Sequence, residues 1–256
     1  MINTPVMKTI LLIILMTLSG HAFGAEVAFD IFNKFSPSVV LIQTKLNSSG
    51  TGFFVTPGLI LTNRHVVRSF NKKVKMWDAP KSILLKNGKL ISKFNKIICS
   101  LRVDVCAISV DTETTIKDFS KLSIVPSSVG QEVFIVGHPQ GIMNPIISSG
   151  IVSSEVFLVP GHDHKRKSIT FRGFTTTAAI SPGSSGSPVL SSTGMILGIA
   201  VSILQGAQNL NIIIGSEELS LFAKQIARRD ESAIFNLKLD ETPALLSKPS
   251  MGLVSR

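Results

Sequence analysis

Residues Ile180 to Leu190 read ISPGSSGSPVL. Any surface turn uses glycine, proline and serine in this way. The stretch decides the fold only if it holds one serine as a nucleophile. A serine hydroxyl attacks poorly until a base takes its proton. The carbonyl under attack also needs hydrogen-bond donors where negative charge develops. Gly183 can adopt backbone angles closed to other residues, so its N–H can point inward beside that of Ser185. One nucleophile and two donors would then come from three residues. The reading stands or falls on whether a histidine and a carboxylate lie elsewhere in suitable contexts.

The sequence holds five histidines. His21 belongs to the N-terminal leader. His162 and His164, in GHDHKRKS, read as part of a solvated loop, because no further metal ligands are grouped nearby. His138 lies in GHPQG, a turn by composition. His65 differs: it follows the strand pattern GLILTNR and opens an apolar Val-Val pair. Asp104 stands at the mouth of an apolar strand, in RVDVCAISV. A half-buried carboxylate there needs a partner. An imidazole N–H is such a partner, and the carboxylate then fixes the ring's tautomer and stabilises its charged form.

From Ser38 onward many short segments rich in Val, Ile, Phe and Thr read as strands. They include VVLIQTKL, TGFFVTPGLILT, KVKMW, SILLKNGKLISKFNKIIC, DVCAISV, EVFIVGH, ISSGIVSSEVF, SITFRGFTTTAA and MILGIAVSIL. Turn residues punctuate them every eight to twelve positions, which favours an all-β sandwich or barrel over a βαβ fold. Asn87-Gly88 is a hairpin signal. Helix is expected only at the edges: AEVAFDIFNKF before Ser36-Pro37, and SEELSLFAKQIARR, whose Leu219, Phe222, Ala223 and Ile226 form one apolar face. Acids early and arginines late suit the dipole of that second helix.

The 256 residues are 44% hydrophobic and 16% charged, enough to bury a substantial core. Lys8 precedes the apolar run TILLIILMTL, and HAFGA follows, so residues 1–24 read as a signal peptide cleaved after Gly24. The run is shorter than the ~20 residues of a membrane span. Export is the expectation, to the periplasm or beyond. The net charge of +10 would allow weak contact with anionic surfaces, but no motif turns it into nucleic-acid recognition. Export permits a disulfide, and whether Cys99 and Cys106 face each other is left open.

Taken together, TGFFVTPGLILTNRHVV, DVCAISV, TTAAISPGSSGSPVL and MILGIAVS resemble the chymotrypsin-fold serine proteases, most nearly the bacterial HtrA/Deg-type and glutamyl-endopeptidase-type members. VGHPQG followed by SSGIVS resembles a further HtrA segment. The resemblance covers about residues 36 to 225. It implies two six-stranded antiparallel β-barrels with a C-terminal helix and a site in the cleft between the barrels. His65 resembles the general base, Asp104 the orienting acid and Ser185 the nucleophile. Gly183 and Ser185, with Ser184 alongside, would supply the oxyanion-hole N–H groups. Ala179 and Ile180, with Ala200, Val201 and Ser202, would line the primary specificity pocket. No charge lies among those five, and Ala200 stands where glutamyl endopeptidases carry a histidine, so small or medium apolar side chains are expected.

The implied activity is peptide-bond hydrolysis through an acyl-enzyme, on protein or peptide substrates, with no metal and no cofactor. The expected organisation is an N-terminal segment at 25–35 and a protease domain at 36–229. That domain divides into a first barrel at about 36–124, a second at about 125–215 and a helix at 216–229. A tail at 230–256 follows, and no PDZ module is expected. Two departures from the family pattern are Ser184, where many relatives carry Asn or Asp, and Ser187 in place of the second glycine of the HtrA motif. The competing readings are an inactive protease-like scaffold and a basic surface-binding module.

Overall fold

The computed structural model describes residues 26–68, 70–71, 76–77, 79–111, 126–154, 157–162, 167–203 and 209–237. The signal peptide expected at 1–24, His164 and the last part of the expected tail lie outside them. Among the described residues no helix is long and apolar enough to cross a membrane.

Helix α1 covers residues 26–35 and ends where Pro37 enters a 3-10 turn, Ser36–Ser38. The first sheet takes β1 (Val39–Thr44), β2 (Ser49–Thr56) and β3 (Leu59–Thr62), followed by the single-turn helix α2 (Arg64–Val67). A separate two-stranded ribbon, β4 (Phe70–Asn71) and β5 (Met76–Trp77), intervenes. The sheet continues with β6 (Pro80–Leu85), β7 (Leu90–Ile91), β8 (Lys96–Ser100) and β9 (Cys106–Ser109). The second sheet holds β10 (Glu132–Gly137), β11 (Ile146–Ile151), β12 (Phe157–His162), β13 (Ser168–Thr176), β14 (Pro188–Ser191), β15 (Ile196–Ile203) and β16 (Asn211–Gly215). Helix α3 (Ser216–Arg228) and β17 (Ile234–Asn236) close the described chain.

Strand order is β17-β8-β9-β3-β2-β1-β6-β7 in the first sheet and β11-β10-β14-β15-β16-β13-β12 in the second. Every named pairing is antiparallel. The sheets thus carry eight and seven strands rather than six each. One of the extra strands is β17, which pairs Ile234 with Ser100 and Phe235 with Cys99. Residues 234–236, read from sequence as tail, are part of the first sheet. The expected division between the barrels, at 124/125, falls at residues 112–125, outside the described ones.

Three apolar clusters hold the molecule together. One fills the first sheet, with Ile42, Phe54, Ile60, Ile83 and Ile108. A second fills the other sheet, with Val133, Phe174, Val189 and Ile213. The third joins them: Phe53 and Leu61 meet Phe134, Leu190 and Ile199, while Ile31 and Phe35 of α1 and Leu219 and Phe222 of α3 cover it. The buried face of α3 differs in part from the apolar pattern of the sequence. Leu219 and Phe222 are buried as expected, but Ala223 is exposed and Glu218 is buried instead. Glu218 is satisfied there: one oxygen accepts the Arg172 N–H at 2.9 Å and the other the Arg102 guanidinium at 3.2 Å.

Cys99 and Cys106 form a disulfide across β8 and β9, where they are direct partners. Both are buried. The bridge closes the loop that carries Asp104. Loop-closure entropy for a ring of this size gives about 2.5 kcal/mol of stabilisation. Reduction, or Cys99→Ser with Cys106→Ser, is therefore expected to lower unfolding stability by about 2–3 kcal/mol, measured by urea titration with and without reductant. An unchanged midpoint would show that β8 and β9 hold their register unaided.

Candidate active site

Three consecutive residues grip one loop. Asn63 Nδ2 donates to the Asp104 carbonyl at 2.9 Å. The Arg64 guanidinium donates to the carbonyls of Ser100 and Val103 at 2.9 and 3.0 Å. The His65 N–H donates to Asp104 Oδ1 at 2.9 Å, and His65 Nδ1 donates to Oδ2 at 2.5 Å. The carboxylate can only accept, so Nδ1 carries the proton and Nε2 is left as the basic nitrogen. Nε2 has no partner among the described residues, and the imidazole is 44% exposed against 21% for the Asp104 side chain. The strand pattern before His65 ends at Thr62, and the histidine itself sits on α2. The contacts of Asn63 and Arg64 were not foreseen from the sequence. TNRHVV supplies the residues but nothing in it shows that the 100–104 loop lies opposite.

Electrostatics follow from this pairing. Burial pushes the His65 imidazole down, but the charge and hydrogen bond of Asp104 outweigh it, and the net displacement is upward from 6.5. Burial likewise pushes Asp104 up, but His65 and Arg64 bring it below its ordinary 3.8. Each partner favours the charged form of the other.

The Ser185 loop is brought to the same place by β2. Thr51 N–H donates to the Ser185 carbonyl at 2.8 Å. Gly186, at φ +90°, packs so closely on the Thr51 carbonyl and Thr62 hydroxyl that a Cβ could not fit. His65 follows Thr62 by three residues. Gly183 has φ +94°, and a Cβ there would lie 2.6 Å from the His138 carbonyl. The N–H groups of Gly183 and Ser185 have no acceptor among the described residues. That of Ser184 does: it donates to the Ser181 carbonyl at 2.8 Å. Ser184 is therefore not a third free donor, because its N–H closes the turn that begins at Ser181.

Ser185 Oγ donates to the Val201 carbonyl at 3.0 Å, not to His65. The β15–β16 register shifts between Ala200 and Ser202, leaving Val201 in the irregularity. Strand β14 pairs with β15 only as far as Ile199. Beyond that, Ala200 is tied to the Ser185 loop through Gly186 N–H and the Ser187 carbonyl, each at 2.9 Å. Among the described residues no strand pairs with Val201 to Ile203 on the side that β14 takes up to Ile199. Of the expected pocket residues, Ala179 and Ser202 are exposed and Ile180 and Val201 partly so. Ala200 departs from expectation, since its side chain is fully buried in the core of the second sheet. Among the described residues no group of His, Cys, Asp and Glu is placed to hold a metal ion.

A carboxylate–imidazole couple beside a serine loop with two unengaged N–H groups, set between two antiparallel sheets, defines a class: hydrolases that work through an activated serine. Residues 50–199 match the trypsin-like peptidase domain, and the chain belongs to that family. It is 29% identical over 182 residues to a probable periplasmic serine endoprotease, DegP-like, of Rickettsia prowazekii, covering 70% of this chain and 33% of that protein. It is 27% identical over 190 residues to the serine protease PepD of Mycobacterium tuberculosis, covering 72% of this chain and 40% of that one. The chain thus spans about a third of the length of the first relative and two fifths of the second. The active form of the Rv3671c protease of M. tuberculosis superposes with a TM-score of 0.65 at 22% identity, over 85% of this chain and 89% of that one. The chymotrypsin-like two-barrel fold is shared.

Proposed function

We propose that the chain is an exported serine endopeptidase in which Ser185 attacks a peptide carbonyl, His65 carries the proton, Asp104 orients the imidazole, and an acyl-enzyme forms and is hydrolysed. The observation that carries this is the Asp104–His65 couple, with Nδ1 engaged and Nε2 without a partner among the described residues, on the element next to the Ser185 loop. The N–H groups of Gly183 and Ser185 act as the two oxyanion donors. The periplasmic placing of DegP-like relatives and the signal-peptide pattern of residues 1–24 support export.

The open edge of β15 supports binding of an extended peptide as an added strand. A peptide N–H arriving there competes for the Val201 carbonyl and frees the Ser185 hydroxyl to turn to His65, so substrate binding and activation of the nucleophile are coupled. The pocket is bounded by Ala179, Ile180, Val201 and Ser202. None is charged, and a hydrophobic pocket discriminates by only about 1–3 kcal/mol per methylene. Digestion of a proteome-derived peptide library, with cleavage sites mapped by mass spectrometry, is expected to show loose preference for Ala, Val, Leu or Met before the scissile bond. Dominant cleavage after Glu, Asp, Lys or Arg would contradict this pocket.

A further inference from the structure

An oxyanion donor is aimed by its whole peptide plane. In a trans peptide the C=O and N–H point opposite ways, and no peptide bond among the described residues is cis. The plane carrying the Gly183 N–H has the Pro182 carbonyl on its other side, which accepts Gln140 N–H at 2.6 Å. The plane carrying the Ser185 N–H has the Ser184 carbonyl, which accepts Ser187 N–H at 3.0 Å. The second clamp is local to the loop. The first depends on a separate turn, His138 to Gly141, and on whatever holds that turn in place.

Thr51 holds it. The residue is fully buried. Its Oγ1 accepts the His138 N–H at 2.9 Å and donates to the Gly183 carbonyl at 2.8 Å. Its N–H and C=O are also engaged, by the Ser185 carbonyl at 2.8 Å and the Thr62 hydroxyl at 2.7 Å. The turn needs external support. Gln140 has φ 55° and ψ 18°, a left-handed conformation that a non-glycine residue keeps only when its surroundings over-determine it. The His138 ring closes the turn from within, Nδ1 bonding the Ile142 carbonyl at 2.9 Å. Burial pushes that imidazole below its ordinary 6.5.

We infer that Thr51 is a positioning residue of the oxyanion hole: its hydroxyl fastens the His138–Gly141 turn to the nucleophile loop and so keeps the Gly183 N–H aimed at the reacting oxygen. The inference rests on the hydrolytic reading above. Thr51→Val keeps the shape but orphans a buried N–H at His138 and a buried carbonyl at Gly183. Rotation of the 182–184 segment relieves that cost and takes the Gly183 N–H out of aim. Thr51→Ser keeps both bonds.

The test compares crystal structures and kinetics of wild type, Thr51→Val and Thr51→Ser, using a quenched peptide substrate and a peptidyl boronate as transition-state analogue. In Thr51→Val, kcat is expected to fall by about 10–100-fold, with KM within about twofold and the boronate Ki rising in step with the loss of kcat. The Pro182–Gly183 peptide should be turned. Thr51→Ser should restore kcat to within about threefold. Should Thr51→Val fail to fold, Thr51→Ala is read in the same way. Unchanged kcat, a rise in KM alone, or an unmoved peptide would overturn the inference. A wild type that cleaves nothing, with the peptide still turned in Thr51→Val, would sink the hydrolytic reading and leave the clamp standing.

Discussion

Ser185→Ala is expected to leave a folded protein whose kcat is lower by about 10⁶-fold. The hydroxyl makes one hydrogen bond, to the Val201 carbonyl, and fills no core position. Its loss should therefore change stability by no more than about 0.5 kcal/mol. The Gly183 and Ser185 N–H groups survive the substitution, since both belong to the backbone. Residual catalysis of about 10³–10⁴ over water should persist from them and from substrate binding. Steady-state cleavage of a quenched peptide, with a thermal melt on the same sample, separates the outcomes. Loss of activity with unchanged Tm is the expected result. Retained activity would move the nucleophile elsewhere.

Asp104→Asn should lower kcat by about 10⁴-fold, and its pH profile should identify the cause. Catalysis needs His65 neutral, so wild-type kcat/KM rises with pH through a His65 pKa lying above 6.5. Removing the carboxylate removes both influences that raise that pKa and leaves burial and Arg64, which lower it. The acid limb of the variant should therefore move to lower pH even as its plateau drops. An acid limb that stays in place would mean that Asp104 does not set the ionisation of His65. Stability follows the same couple with worked signs. The raised His65 contributes fully below pH 6.5, and its contribution is lost as pH rises through the folded value. The depressed Asp104 contributes above pH 3.8, and its contribution is lost as pH falls through the folded value. Between those limits the pair supports the fold most, so wild type should lose more stability than Asp104→Asn on leaving that window in either direction. Urea midpoints measured across pH check this.

Much of the candidate site was legible because chemistry constrains residue type at each position. His65 after a strand, Asp104 at a strand mouth and Ser185 between two glycines could be singled out one by one, and family resemblance then joined them. Backbone alternation likewise gave β1, β10, β13 and β15, and the helix pattern gave α3. What escaped were relations between segments distant in sequence. NIIIG at 211–215 is a strand by composition, yet its short apolar run is ambiguous without its neighbours on β13 and β15. Residues 234–236 gain their strand only by pairing with β8. Glu218 looks like a solvent-facing first-turn acid until Arg102 and the Arg172 N–H come to meet it. Ser184 could be named as an oxyanion donor because all three N–H groups in the loop are equivalent on paper. Only the folded turn commits one of them to Ser181.

The most direct measurement is labelling of the purified protein with a fluorophosphonate, the modified peptide being located by mass spectrometry, in wild type and His65→Ala. Modification confined to Ser185, and lost in a folded His65→Ala variant, is the result this account predicts. A folded wild type that takes no label, or takes it equally without His65, would contradict an activated serine at this site.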